Sequence, residues 1–348
     1  MNKVVLGASE LEGCFTLEDK KNLVELDNLY AKALKIFPNI RENEHKANTE
    51  LISIYNEIGS FMQEICKNIV QIHIYPFLTS KENRSEASHI IAKLRDTRTE
   101  THEFVYYTQR AFEILFKLAW GGLSEAKKNY LTVKTFVTNP VQNYAVHKIA
   151  NIDDKIGNTV MCVMLRGALL PSMIMSKEIQ GYSSNNYITP FALFKIKRNE
   201  CKKENNMEYI LDTEFSFFDP EKLKGKDLVF ADPMNATGGS LITVVKYILS
   251  LGIKPRSIKI FNVISAFKGA LRVTRTLENC DVYTLWMDPV LNEDAYIMPG
   301  LGDAGDRING KDSETNPRNI IRLIADYGAG IANLYKSQLR EIENTVLG

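Results

Sequence analysis

The stretch FADPMNATGGSLITVV, residues 230–245, decides how the chain is read. Its first residues are apolar and suit a buried strand, the run breaks at Pro233, and an apolar-periodic helix resumes beyond the glycines. Between them Thr237, Gly238, Gly239 and Ser240 form a turn of small residues that leaves backbone N–H groups open to a ligand. A helix start favours an anion, because the helix dipole adds to the unpaired donors. Thr237 and Ser240 add hydroxyls. Asp232 is the odd member, since a carboxylate repels phosphate. It fits a ligand that also carries hydroxyls or a nearby cation, and a sugar phosphate meets both demands. The plainer reading is a tight strand-to-helix turn with no ligand.

Working outward, short β-rich runs alternate with helical ones from about residue 130. VKTFVT, NTVMCVML, YITPFALF, DLVFA, SIKIFNVIS and DVYTLWM read as strands. ALLPSMIMSKEI, LITVVKYILS and LRVTRTLEN read as helices. NTVMCVML lacks alternation, as expected of a strand covered on both faces. The pattern predicts an α/β fold, a parallel sheet with helices on its faces and ligands beyond the carboxyl ends of its strands. Residues 16–70 read as helix, with Thr16 as a cap and Pro38 ending the first segment. Residues 85–118 read as a third helical region, whose aromatic stripe suits a core, and residues 319–346 as a helical tail.

The bulk composition is that of a globular protein: 348 residues, 45% hydrophobic and 24% charged. A net charge of +1 supplies no broad basic field for nucleic acid. The five cysteines are scattered with no C-x-x-C pair, so a reducing, cytoplasmic setting is expected rather than a disulfide framework or a zinc site. The N-terminal apolar run is too short for a signal peptide core, and Arg166 interrupts the longest apolar stretch, so no membrane span is expected.

Two further glycine motifs need weighing. PGLGDAG carries G-x-G-x-x-G at Gly300, Gly302 and Gly305, but it follows Pro299 rather than a strand, and polar DRINGKDSET follows it rather than a helix. GDRINGKD has P-loop spacing, but Asp312 stands where Ser or Thr is required. What remains is VLNEDAYIMPGLGDAGDRING, residues 290–310, a loop whose glycines let a flat heterocycle approach main-chain N–H and C=O groups. A long surface loop without function is the plainer reading.

At these two segments the chain resembles a known family. DPMNATGGS is similar to the phosphoribosyl-pyrophosphate loop of type I phosphoribosyltransferases, and YIMPGLGDAGDR to the base-recognition loop of uracil phosphoribosyltransferases. MLRGA, residues 164–168, resembles the family's pyrophosphate-contacting turn. KRNE, residues 197–200, resembles its second arginine segment, and LRDTRTETHEF, residues 94–104, its N-terminal helical segment. The resemblance spans roughly residues 70–312. It implies three regions: a helical extension over 1–69, a phosphoribosyltransferase-like domain over 70–312 with a small β hood, and a helical tail over 313–348.

The reaction implied is uracil plus phosphoribosyl pyrophosphate giving UMP plus pyrophosphate. No protein nucleophile is needed for it, which agrees with a sequence that offers no Ser/His/Asp or Cys/His constellation. Carried over residue by residue, Asp232 would hold the ribose hydroxyls. Pro233, Met234, Asn235, Ala236, Thr237, Gly238, Gly239 and Ser240 would form the phosphate loop. Arg166 and Arg198 would neutralise pyrophosphate. Tyr296, Ile297, Gly302, Asp303 and Ala304 would bind uracil, with Asp303 also facing the sugar. Mg2+ would be held mainly by substrate oxygens rather than by protein ligands. The chain departs from the family pattern at Ala168, Pro171, Cys201 and Ala295, positions that bear on pyrophosphate geometry and turnover. Two other readings therefore stay open here: a weak or inactive domain that senses UMP or phosphoribosyl pyrophosphate, and a transferase for another base. The apolar stripes of both extensions must be covered, which predicts at least a homodimer. Some relatives use an allosteric nucleotide, which this sequence does not locate.

Overall fold

The computed structural model describes residues 3–36, 44–121, 128–136 and 144–310, together with Arg322, Ala325, Asp326 and Ala329. Apart from these positions, the expected tail helix lies outside the described residues. The chain starts with strand β1 (Lys3–Gly7), then helices α1 (Leu17–Ile36) and α2 (Glu44–Cys66). Thr16 caps α1 as its sequence suggests: its hydroxyl accepts from the Asp19 amide and the Asp19 carboxylate accepts from the Thr16 amide, both at 3.0 Å. The inward face of α1 buries Leu26, Leu29, Tyr30 and Ala33.

Next come β2 (Ile72–Ile74), α3 (Tyr75–Leu78), α4 (Lys81–Arg95) and α5 (Thr101–Phe116). The helical region expected over 85–118 is thus two helices. Asp96 breaks it by accepting from both the amide and the guanidinium of Arg98, which closes a turn. A separate antiparallel hairpin pairs β3 (Lys128–Lys134) with β4 (Tyr144–Ala150). Of the expected strand VKTFVT, the first two residues belong to it, Thr135 and Phe136 lie beyond it, and the last two fall outside the described residues.

The central unit follows as α6 (Asp153–Ile156), β5 (Thr159–Leu165), α7 (Leu169–Tyr182), β6 (Phe191–Arg198), β7 (Glu208–Phe217), β8 (Asp227–Asn235), α8 (Gly239–Ser250), β9 (Ser257–Ala266), α9 (Phe267–Thr276) and β10 (Cys280–Asp288). A two-stranded hairpin, β11 (Val290–Leu291) with β12 (Ile297–Met298), and the short α10 (Ala304–Asn309) complete it. The main sheet has eight strands in the order β1-β7-β6-β5-β8-β9-β10-β2. Its pairs from β6 to β2 are parallel, while β7 and β1 add antiparallel at one edge. This is a mostly parallel sheet flanked by helices, as the resemblance leads one to expect.

The physics of the core follows from the apolar runs. Val160, Met161, Cys162 and Val163 of β5 are all wholly buried, as are Leu228, Val229, Phe230 and Ala231 of β8. Full burial of each large apolar side chain contributes about 1.5–3 kcal/mol before entropy is counted. One expectation is corrected: β8 does not break at Pro233 but runs on to Asn235. Its pairing with β5 ends at Val229 while that with β9 continues to Asn235, so one side of β8 is free where proline lacks its donor. Strand order reverses between β5 and β8, which opens a crevice at their carboxyl ends.

Candidate active site

The crevice is an open cavity of about 780 Å³. Four segments line it, with Ile210 of β7 beside them: the turn after β5, the end of β6 with the residues that follow it, the carboxyl end of β8 with the start of α8, and the loop after β10. Asp232 is the first residue of β8 that is not wholly enclosed. The Met234 amide donates to its Oδ1 at 3.1 Å, and its own carbonyl accepts from the Asn262 side chain at 2.9 Å. Burial pushes its carboxyl up to about 7; nearby Asp303 adds to the rise, while the Met234 amide and Arg198 oppose it.

Pro233, Met234, Asn235, Ala236, Thr237, Gly238 and Ser240 all line the cavity. Gly238 sits at φ +75°, the left-handed region, as the N-cap of α8. Thr237 fixes the turn by accepting from the Tyr209 hydroxyl at 2.7 Å and the Gly239 amide at 3.3 Å. Gly239 itself is not among the lining residues. A Cβ there would stand 2.0 Å from the Tyr209 ring, so its missing side chain makes room for Tyr209.

Arg166 lies on the opposite wall, donating to the Gly310 carbonyl at 2.8 Å and the Asp306 carboxylate at 3.0 Å. Its turn packs closely on the loop after β10, with a Cβ on Gly167 only 3.5 Å from Gly305 Cα. Arg198, at the end of β6, donates to the Ala295 carbonyl at 3.2 Å and lies 5.4 Å from the Tyr296 ring centre. Two arginines far apart in sequence thus both reach the loop over residues 290–310.

That loop is built from inside. The Asn292 side chain accepts from the Asp294 and Tyr296 amides at 3.0 and 2.9 Å, and Ala295 adopts φ +63°. Left-handed backbone costs an alanine roughly 1–2 kcal/mol. Buried Asp288 accepts from the Gly300 amide at 2.8 Å and pairs with Arg95 of α4, which donates to the Gly300 carbonyl at 3.2 Å. Burial raises the Asp288 carboxyl against the pull of Arg95 and the Gly300 amide. It also raises the phenols of Tyr30 and Tyr55, which lie close enough to feel both charges.

Tyr296, Asp303 and Ala304 line the main cavity. Ile297 is buried and paired with Leu291, and Gly302 instead lines a smaller cavity beside Arg95 and Arg307. A second expectation is corrected: residues 304–309 do form a helix after the glycines. Asp303 caps it, its Oδ1 accepting from the Asp306 amide at 2.9 Å. Arg307 anchors this helix, donating to the Leu301 and Asp96 carbonyls, both at 3.0 Å, and stacking on Phe104.

Cys201, one of the departures from the family pattern, lines the cavity, while Ala168 and Pro171 are buried beneath the β5 turn. Sequence reasoning missed Tyr209, Arg272, Asp288 and Arg95, which hold the loops from behind. Asp288 gave the only local signal, a lone acid ending an apolar strand. Among the described residues, no group of three or more His, Cys, Asp or Glu gathers to hold a metal. No helix among them is long and apolar enough to cross a membrane.

The chain is similar to several known proteins. A family profile described as uracil phosphoribosyltransferase matches residues 191–310. The uracil phosphoribosyltransferase of Dictyoglomus turgidum is 31% identical over 227 residues, 64% of this chain and 94% of that protein. The one from Polaromonas naphthalenivorans is 42% identical over 103 residues, 30% of this chain and 48% of that protein's length. Among solved structures, the AQ2163 protein from Aquifex aeolicus matches with a TM-score of 0.48 at 24% identity, over 69% of this chain and 98% of that one.

Proposed function

The chain belongs to the uracil phosphoribosyltransferase family, and from that membership we propose that it transfers the phosphoribosyl group of phosphoribosyl pyrophosphate to uracil, giving UMP and pyrophosphate. The observation that carries this reading is the meeting of Asp232, the start of α8 and the loop after β10 on one cavity. The amides of Ala236, Thr237, Gly238 and Ser240 cradle the 5′-phosphate, helped by the dipole of the twelve-residue α8, while the Gly239 amide is taken by the Thr237 hydroxyl. Asp232, as carboxylate, accepts from the ribose 2′- and 3′-hydroxyls. Arg166 and Arg198 flank the diphosphate, where a guanidinium fork suits paired oxygens. Uracil lies against Tyr296, with the main chain around residues 302–304 reading its edges.

In the reaction the anomeric C–O bond breaks and its electron pair leaves on pyrophosphate. The N1 atom of uracil forms the new C–N bond and loses its proton to solvent. The chain's part is to position the reactants and to offset the charge that develops on the leaving group. Asp232 and Asp303 offer hard oxygen donors on one cavity, which suits Mg2+ held mainly by diphosphate and ribose oxygens. When bound, the magnesium ion would supply further charge stabilisation to the departing pyrophosphate.

The test is direct. With magnesium present, purified protein should convert uracil and phosphoribosyl pyrophosphate to UMP and release pyrophosphate in equal amount. Hypoxanthine and orotate should be poor substitutes. UMP binding without pyrophosphate release would overturn the enzymatic reading.

The protein is also proposed to form a homodimer or higher homo-oligomer. The β3–β4 hairpin exposes Tyr130, Leu131, Tyr144 and Val146, and an isolated two-stranded hairpin is marginally stable in water. Light scattering at micromolar concentration should return at least twice the chain mass, and a monomeric mass would contradict the proposal.

A further inference from the structure

Arg272 lies on α9, behind the phosphate loop and outside the cavity, and is wholly buried. A buried guanidinium is costly unless it is paired; the Nε of Arg272 has no hydrogen-bond partner among the described residues, so the partners of its two Nη atoms show what it is for. Its Nη1 donates to the main-chain carbonyl of Thr237 at 2.8 Å. Its Nη2 donates to Glu12 at 2.5 Å and to Glu204 at 3.3 Å. The Phe15 ring covers it, 5.4 Å from ring centre to guanidinium carbon.

Three distant segments meet at this one side chain, and a fourth joins through one of them. Glu12 and Phe15 come from the N-terminal segment, which the Asp19–Arg275 pair also fastens to α9 through two bonds of 2.9 Å. Burial pushes the Asp19 carboxyl up, but Arg275 and Thr16 outweigh it and hold it below its ordinary value. Glu204 comes from the loop between β6 and β7, where Lys268 of α9 holds it at 2.9 Å. The Glu204 amide donates to the Glu293 carbonyl of the base loop at 2.7 Å. Thr237 is the phosphate loop itself.

We propose that Arg272 is a positioning residue for the 5′-phosphate cradle, and that the N-terminal segment sets it through Glu12. The geometry leaves Thr237 little other freedom. Tyr209 and the Gly239 amide hold its hydroxyl, and Arg272 holds its carbonyl. A carbonyl fixed from behind turns the following amides toward the cavity, where a phosphate would sit. The proposal rests on reading the loop as a phosphate cradle, and it extends that reading to residues outside the α/β core.

The full-length protein tests it in three variants, by calorimetric binding of UMP and phosphoribosyl pyrophosphate and by steady-state kinetics. Arg272→Met should raise Kd for both ligands and KM for phosphoribosyl pyrophosphate by about tenfold, with kcat within about threefold of wild type, the signature of lost uniform binding. Arg272→Lys should recover part of the affinity, because an ammonium reaches the Thr237 carbonyl but cannot bridge to both acids. Glu12→Gln keeps the shape and removes one charge from a half-exposed side chain, so it leaves the fold intact. It should raise the same KM by roughly threefold. A merely structural arginine would lower the melting temperature without separating KM from kcat. Folded Arg272→Met with wild-type affinity overturns the proposal, and so does Glu12→Gln with unchanged KM if Arg272→Met does not fold. Wild-type protein that binds neither ligand overturns the reading of the cradle itself, a result distinct from wild-type binding with indifferent variants.

Discussion

Replacing Asp232 with asparagine is expected to lower kcat/KM for phosphoribosyl pyrophosphate by roughly 10²–10³-fold, since two charge-assisted hydrogen bonds of ~1.5–3 kcal/mol each would be lost. The same change should stabilise the ligand-free protein. Burial lifts the Asp232 carboxyl from an ordinary 3.8 to about 7 in the folded state. The folded chain then binds more protons than the unfolded chain between those values, so this residue lowers stability as pH rises through that window. The full shift sets a ceiling of about 4 kcal/mol, and water in the open cleft reduces the expected gain to about 1–2 kcal/mol. Denaturant unfolding of Asp232→Asn should therefore exceed wild type near pH 8 and converge with it near about pH 4. Ligand affinity of the wild type should fall as pH drops below about 7, and the variant should lose that limb. An asparagine variant with full activity, or one less stable than wild type at high pH, would contradict both roles.

Gly269→Ala should be severely damaging for the addition of a single methyl group. A Cβ at this position would stand 2.3 Å from the Ala236 carbonyl oxygen and 2.9 Å from that of Asn235. Both are backbone atoms of the phosphate loop, so no side chain can swing aside. Either α9 retreats from the sheet or the loop shifts toward the cavity. The stability cost is about 1–3 kcal/mol, as for other overpacked interiors. A loop displaced by about 1 Å loses its aim, and KM for phosphoribosyl pyrophosphate should rise by roughly 10²-fold. Thermal unfolding and steady-state kinetics read the two effects separately, and wild-type values in both would show that the helix has room to move.

Much of this was legible in the sequence, for reasons that differ by element. Strands β5, β8, β9 and β10 are covered on both faces over most of their length, so they appear as predominantly apolar runs. The phosphate loop announced itself because only small residues fit where Gly238 takes a positive φ against Val273. The β7 strand was missed because EYILDTEFSF mixes charge into its exposed half, as an outer strand allows. The three-residue β2 is too short to carry a pattern. The α10 helix was misread because DRIN is polar, and its capping bond from the Asp306 amide to Asp303 has no counterpart in hydrophobic periodicity. The bracing side chains were hidden for a deeper reason. Arg272 and Asp288 act through partners more than a hundred positions away, and nothing near them in the chain marks a buried charge as satisfied.

Strands β1 and β2 both come from the first quarter of the chain, yet they occupy opposite ends of the eight-strand order. The first waits for β7 and the second for β10, about two hundred residues further along. On the ribosome, the opening segment therefore emerges long before its neighbours exist, and its apolar stripes stay uncovered for most of synthesis. Those two pairings therefore close late in the assembly of the sheet.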